Sequence, residues 1–144
     1  MDFDLPQDIR LLKDTVRRFV DSELIPIEMN SMQGAELKPE IRAALEAKTR
    51  AMGFWLLDTP AEYGGQALSL LALAAIGEEM ARTVALPPRG PGIFGPAVVP
   101  ILLELSDAMK QKYLYPVLRG EKTTALAQSE PDAGHRAALC RLAA

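Results

Sequence analysis

Cysteine and histidine are almost missing from this chain, with Cys140 and His135 its single examples among 144 residues. One thiol cannot make a disulfide framework. A zinc site built on that one pair would need two further carboxylates, a poor ligand set for this metal. Aromatic residues reach only 6%, with one tryptophan, Trp55. Positive charge is short as well: 16 Lys and Arg stand against 19 Asp and Glu, and no basic stripe forms, so nucleic acid is not an expected partner. Long apolar runs are absent too. The nearly uncharged stretch from Tyr63 to Ile76 holds Gly64, Gly65, Gln66 and Ser69. It is too short and too polar for the roughly 20 apolar residues that cross a bilayer, so no membrane span is expected. The start, MDFDLPQDIR, carries acids where a signal peptide carries bases, and a cytoplasmic protein is the expectation.

What the chain does have is 49% hydrophobic and 24% charged residues, the balance of one soluble domain. A chain of this length buries roughly 68–70% of its unfolded surface. Helical spacing dominates, broken at Pro and Gly. Asp4 can cap a first helix entered through Pro6. Ile9, Leu12, Val16, Phe19, Val20 and Leu24 line one face of it, and Pro26 should end or kink it. A second helix is expected from Pro39 through Ile41, Leu45 and Met52 to Gly53. FWLLDTPAEYGGQALS reads as a long ordered loop. Ser69 then caps a third helix, SLLALAAIGEEMART, whose apolar first half predicts a central position.

The stretch 86–92, LPPRGPG, cannot be regular, and IFGPAVVPILLEL beyond it reads as a short buried helix containing Pro96 and Pro100. SDAMKQKYLYPVLRG predicts another, with Lys110 and Lys112 facing solvent and Pro116 and Gly120 closing it. TTALAQSEPDAG suits one extended strand, which on its own lacks a sheet to join. The expected fold is all-α, with about five or six helices and a short extended segment near the C-terminus.

Few residues invite chemistry. Glu78 and Glu79 are adjacent on a helix, about 100° apart, and read as surface charge, with Glu78 placed to pair with Arg82 four residues on. Ser129 lacks a nucleophile elbow, and His135 has no candidate nucleophile beside it. Gly64 and Gly65 fit no phosphate-binding loop, and a positive-φ turn explains both. Trp55 reads as a hydrophobic plug before a ligand wall, and Cys140 as a free thiol.

Several segments in order, LLKDTVRRFVDSELIP, MGFWLLDTPAEYGGQALSLLAL, GEEMART and SDAMKQKYLYPVLRGEKTTALAQSEPDAG, resemble the N-terminal helical domain of the acyl-CoA dehydrogenase family. The P-x-E-Y-G-G element at Pro60 to Gly65 and the S/T-E-P-x-A-G element at Ser129 to Gly134 carry most of the likeness, which runs over residues 3–134. It implies a helical domain at 3–122, the start of a middle β-domain at 123–134, and an atypical tail at 135–144. It also implies α,β-desaturation of an acyl-CoA thioester with FAD as hydride acceptor and an electron-transfer flavoprotein as the next acceptor, within a homo-oligomer.

In the family the positions of Leu126, Gln128 and Ser129 approach the flavin ring and the helical domain contributes walls of the acyl cavity, for which the third and fourth helices, with Leu70, Leu73, Ile76, Val98 and Ile101, are the candidates, each of them more simply read as core packing. The catalytic glutamate lies in a C-terminal domain in most members, so no residue of this chain is expected to be the base. The chain alone is therefore expected to be inactive. Ala67 stands where the family usually has glycine, and HRAALCRLAA departs from its β-domain sequence, as a shortened chain or an altered reading frame would. The alternatives are a non-catalytic helical interaction module that pairs with a complementary chain and a lipid-carrying bundle.

Overall fold

The 3,4-spaced apolar face of the first segment folds as α1 (Gln7–Phe19), with Ile9, Val16 and Phe19 buried. The structure, a computed structural model, describes residues 4–87 and 92–125. Pro6, not Asp4, occupies the cap position of α1, and its carbonyl accepts the Arg10 N–H at 3.0 Å. The helix then widens into a π turn, Val20–Leu24, and tightens into a 3-10 turn, Ile25–Ile27, which contains Pro26. A proline ring collides with the carbonyl four residues upstream in an α register, so the changed register is how the chain meets it.

Two strands of two residues each, β1 (Met32–Gln33) and β2 (Glu36–Leu37), form an antiparallel hairpin with Met32 opposite Leu37. They are too short for alternation to show in the sequence. α2 (Pro39–Ala51) starts on its proline and stops before Gly53 at φ +77°. In α3 (Leu70–Met80) the Ser69 hydroxyl accepts the Ala72 N–H at 3.3 Å.

The central position expected for the first half of α3 is not what the structure shows. Leu70 is 82% exposed and Leu71 is exposed too, while Ala72, Ala75, Ile76 and Glu79 are buried. The described elements cover one side of α3, where α1 lies, and small Ala72 and Ala75 pack there with Ile9.

Residues 93–105 do not form the expected buried helix either. Gly92 and Gly95 pair as a tight bridge with Gly95 at φ +101°, and a 3-10 turn, Pro100–Leu102, follows. Two prolines four residues apart remove two helical donors, and each pushes its predecessor toward extended backbone; Val99 sits at ψ 135°. Ile93 is fully buried, but Ile101 is 70% exposed.

From Ser106 onward α4 (Asp107–Met109), a π turn (Lys110–Leu114) and α5 (Tyr115–Leu118) run on without a break. Pro116 therefore lies inside the helical run instead of closing it, and Gly120 at φ +79° ends it. In both helical runs the proline falls two residues past the last π residue, Leu24 before Pro26 and Leu114 before Pro116. Of the expected strand, residues 123–125 join no ladder, and the remainder lies outside the described residues.

The core gathers Val16, Phe19, Val20 and Leu24 with Leu37, Leu45, Leu57, Ile76 and Ile93. A second cluster joins Leu56, Leu114 and Leu118 to Trp55 and Tyr63. Between α1 and α3 lies Glu79, whose side chain is 1% exposed. Arg17 donates to it twice, Nε at 3.1 Å and Nη2 at 2.8 Å, and Arg82 Nη1 donates at 3.2 Å. Glu79 is thus not surface charge. Arg82 turns to Glu79 and to Asp21 (2.8 Å), while Glu78 accepts from Lys13 at 2.7 Å. The fork of Arg17 holds the Glu79 carboxyl below the usual carboxylate range despite its burial.

A carboxyl whose folded pKa is depressed binds fewer protons than its unfolded counterpart, so stability is full above the unfolded value of 4.5 and is lost as pH falls through the lower folded value. We expect Glu79→Gln to cost about 1.5–3 kcal/mol at pH 7, because charge-assisted hydrogen bonds are of that size. The same change should flatten the acid limb of stability below about pH 4.5. Urea melts of both forms between pH 3 and 7 check this.

Candidate functional site

The positions that family resemblance assigns to the flavin, Leu126, Gln128 and Ser129, lie outside the described residues, as do His135 and Cys140. The chain leading to them is fixed, however. Thr124 Oγ1 donates to the Ala97 carbonyl at 3.1 Å, so the route toward residue 126 departs from the end of the loop 92–97.

That loop is a bracket set against α2 and the segment after it. The Thr49 hydroxyl, fully buried in the last turn of α2, donates to Ile93 O at 2.6 Å. Leu56 N–H donates to Phe94 O at 2.8 Å. Phe94 meets the edge of Phe54 with ring centroids 6.1 Å apart. A Cβ on Gly95 would come within 3.2 Å of Trp55 and 3.3 Å of Leu56, so glycine is needed there for close approach as well as for φ.

Two clefts meet at this bracket and a third adjoins one of them along Lys122 and Thr123. One of about 390 Å³ is lined by Glu36, Arg42, Glu46, Trp55, Pro96 and Lys122. A second, about 230 Å³, lies between Leu57, Asp58, Leu73, Phe94, Pro96 and Ala97. The third, about 300 Å³ and almost wholly apolar, runs along Leu102, Leu105, Met109, Tyr113 and Val117 to Thr124. Pro96 separates the first two, and Lys122 and Thr123 separate the first from the third.

Trp55 is both plug and wall. Its Nε1 donates to Leu118 O at 3.3 Å, and the Arg50 guanidinium lies 3.2 Å from its ring centroid while donating to Arg119 O at 3.3 Å. The two side chains thereby satisfy carbonyls at the end of α5, which would otherwise lack partners. The same indole faces the largest of the three clefts.

The P-A-E-Y-G-G loop folds back on residues 56–60 through Gln66 N to Leu56 O (3.0 Å), Ala67 N to Thr59 O (2.9 Å) and Leu68 N to Leu57 O (2.8 Å). A positive φ accounts for Gly64 alone, at +80°. Gly65 is there for space, since a Cβ would lie 2.0 Å from Thr59 O. Leu56 and Ala67 adopt φ +54° and +48°, a region that side chains disfavour. Lys110 is half-buried and has a partner: its Nζ donates to Tyr63 Oη at 3.0 Å, which ties this loop to the π turn and holds the ammonium above the usual lysine value.

Of the acyl-wall candidates, Leu73 reaches the second cleft, Ile76 belongs to the core, and Val98 packs beside Leu56 and Leu114. Leu70 and Ile101 stand exposed. Sequence reasoning missed Thr49 and Thr124, whose hydroxyls act on backbone carbonyls far away in the chain and carry no motif.

Among the described residues, no group of three or more His, Cys, Asp and Glu converges on a metal position, and no helix is long and apolar enough to cross a membrane. These residues do not make a flavin site by themselves. The unpartnered buried polar atom among them, Thr59 Oγ1, belongs to none of the three linings; the third cleft is almost wholly apolar, and the charged residues of the first are of both signs, Arg42 and Lys122 beside Glu36 and Glu46.

A family model described as "Acyl-CoA dehydrogenase, N-terminal domain" matches residues 6–121. (R)-benzylsuccinyl-CoA dehydrogenase of Thauera aromatica is 33% identical over 93% of this chain and 36% of its own length. An acyl-CoA dehydrogenase structure from Geobacillus kaustophilus has the same fold, with TM-score 0.65 and 21% identity over 96% of this chain and 36% of its own. A chain in a structure of the electron transferring flavoprotein of Acidaminococcus fermentans aligns with TM-score 0.63 and 26% identity over 96% of this chain and 36% of its own. The chain thus spans about a third of the length of these relatives.

The two loop positions make opposite predictions. Ala67→Gly should stabilise by about 0.5–1 kcal/mol, the relief of left-handed strain less the entropy that glycine loses on folding. Gly65→Ala should destabilise by about 3 kcal/mol, because the added methyl meets backbone. Thermal melts of the two variants beside the parent check both signs.

Proposed function

The chain belongs to the acyl-CoA dehydrogenase family, of which it carries the N-terminal domain, and on that premise we propose that it forms the helical third of a flavin-dependent enzyme that desaturates acyl-CoA thioesters. The observation carrying this reading is the match over residues 6–121 together with the Thr124 to Ala97 hydrogen bond, which directs the chain toward residue 126 from the rim of three clefts. On this reading the second and third clefts supply apolar surface to the acyl group, with Leu73, Phe94, Leu102 and Val117 excluding water from it. Leu126, Gln128 and Ser129 take their places beside FAD, and the remaining two thirds of the enzyme hold most of the cofactor and supply the base that removes the α-proton. An electron-transfer flavoprotein serves as the acceptor, in keeping with the fold likeness to a chain from such a structure. Assembly as a homo-oligomer belongs to the same proposal.

A second reading, a helical module that pairs with a complementary chain, is favoured by the apolar side chains left in water at Leu70, Ile101, Met109 and Tyr113.

Mixed with FAD, butyryl-CoA and an artificial electron acceptor, the purified chain should give no reduction above the blank, and steady turnover would overturn the proposed division of labour. Residues 6–125 fused to the middle and C-terminal domains of a relative should instead give a yellow protein whose colour bleaches with acyl-CoA. A soluble fusion that holds flavin without bleaching would decide for the pairing module.

A further inference from the structure

We propose that two hydroxyls, the buried one of Thr49 and the half-buried one of Thr124, act as positioning residues that hold the 92–97 bracket at both ends and so set the shape of the two clefts it lines. The entering end is held by Thr49, fully buried, whose hydroxyl donates to Ile93 O at 2.6 Å. The leaving end is held by Thr124, whose hydroxyl donates to Ala97 O at 3.1 Å.

Between them the bracket has few other polar ties. Leu56 N to Phe94 O, at 2.8 Å, connects it to the loop after α2, and that donor belongs to a residue at φ +54°, a conformation that persists only where its surroundings enforce it. Gly92, Gly95, Pro96 and Ala97 line the first or second cleft, so a shift of the bracket alters both, and Thr124, which ties the bracket at Ala97, itself lines the third. Thr49 also lies 3.1 Å from Glu46 O, the back-bond within its own helix. Its single proton serves the shorter contact, and valine at this position would leave Ile93 O without a donor in a dry site. The role in acyl-CoA chemistry rests on the reading above, while the latch itself is measurable without flavin or substrate.

The test uses the whole chain and its variants Thr49→Val, Thr49→Ser and Thr124→Val, followed by amide hydrogen exchange at Leu56, with Val20 as a core reference, and by acrylamide quenching of Trp55. Thr49→Val should speed exchange at Leu56 about tenfold, the effect of one lost hydrogen bond on local opening, with Val20 changed much less. Trp55, which packs on Gly95, should become about twice as quenchable. Thr49→Ser should restore both readings, and Thr124→Val should raise quenching without slowing or speeding Val20. Equal acceleration at Leu56 and Val20 in Thr49→Val would show a merely structural hydroxyl and overturn the proposal, as would unchanged Leu56 exchange in both valine variants. Failure of the flavin fusion described above would leave these readings unmoved.

Discussion

A carboxylate taken out of water at the seam of two helices is tolerable only where cations meet it with good geometry, and Glu79 makes the seam of α1 and α3 conditional on Arg17 and Arg82. Two parallel donors from one guanidinium fix a direction as well as a distance. α3 is thereby fixed in rotation on α1, with Ala72, Ala75 and Ile76 turned inward and Leu73 turned toward the second cleft. The apolar surface of the same seam supplies most of the attraction, but apolar contact slides and ion pairing at this depth does not. Asp21 extends the set through Arg82, so the π turn after α1 is tied to α3 as well.

The helices were largely legible in the sequence because periodicity survives wherever one face is buried. α2 and α3 begin at their signals, Pro39 and Ser69, and α2 stops two residues before Gly53, whereas α1 gives way to a π turn at Val20, ahead of Pro26, and α3 ends at Met80, short of Thr83. What misled the reading were prolines and neighbours. Pro96 and Pro100 outweighed an apolar run that looks helical, and Pro116 failed to stop a helix because the π turn had already moved the opposing carbonyl. Glu79 looked like solvated charge since its partner Arg17 lies 62 positions away, beyond any local pattern. The hairpin at residues 32–37 is too short to leave a periodic trace.

The site was legible in a different way. The P-x-E-Y-G-G element gave the family, but not why its glycines differ: one supplies a left-handed turn and the other makes room for the Thr59 carbonyl. Trp55 was identified as a plug, which it is at the end of α5, while its exposed face lines a cleft. Thr49 and Thr124 gave no signal, as single hydroxyls in apolar or extended surroundings are common and their partners are backbone carbonyls.

The π turn at residues 110–114 has an arithmetic consequence. An α-helix advances by 100° per residue, and one supernumerary residue rotates everything downstream by about that angle relative to the upstream stripe. Met109, Tyr113 and Val117 line the apolar cleft, whereas Leu114 and Leu118 pack inward. By taking up one residue the slip brings Val117 back into line with Met109 and Tyr113, so that one short helical run serves the interior and the cleft at once.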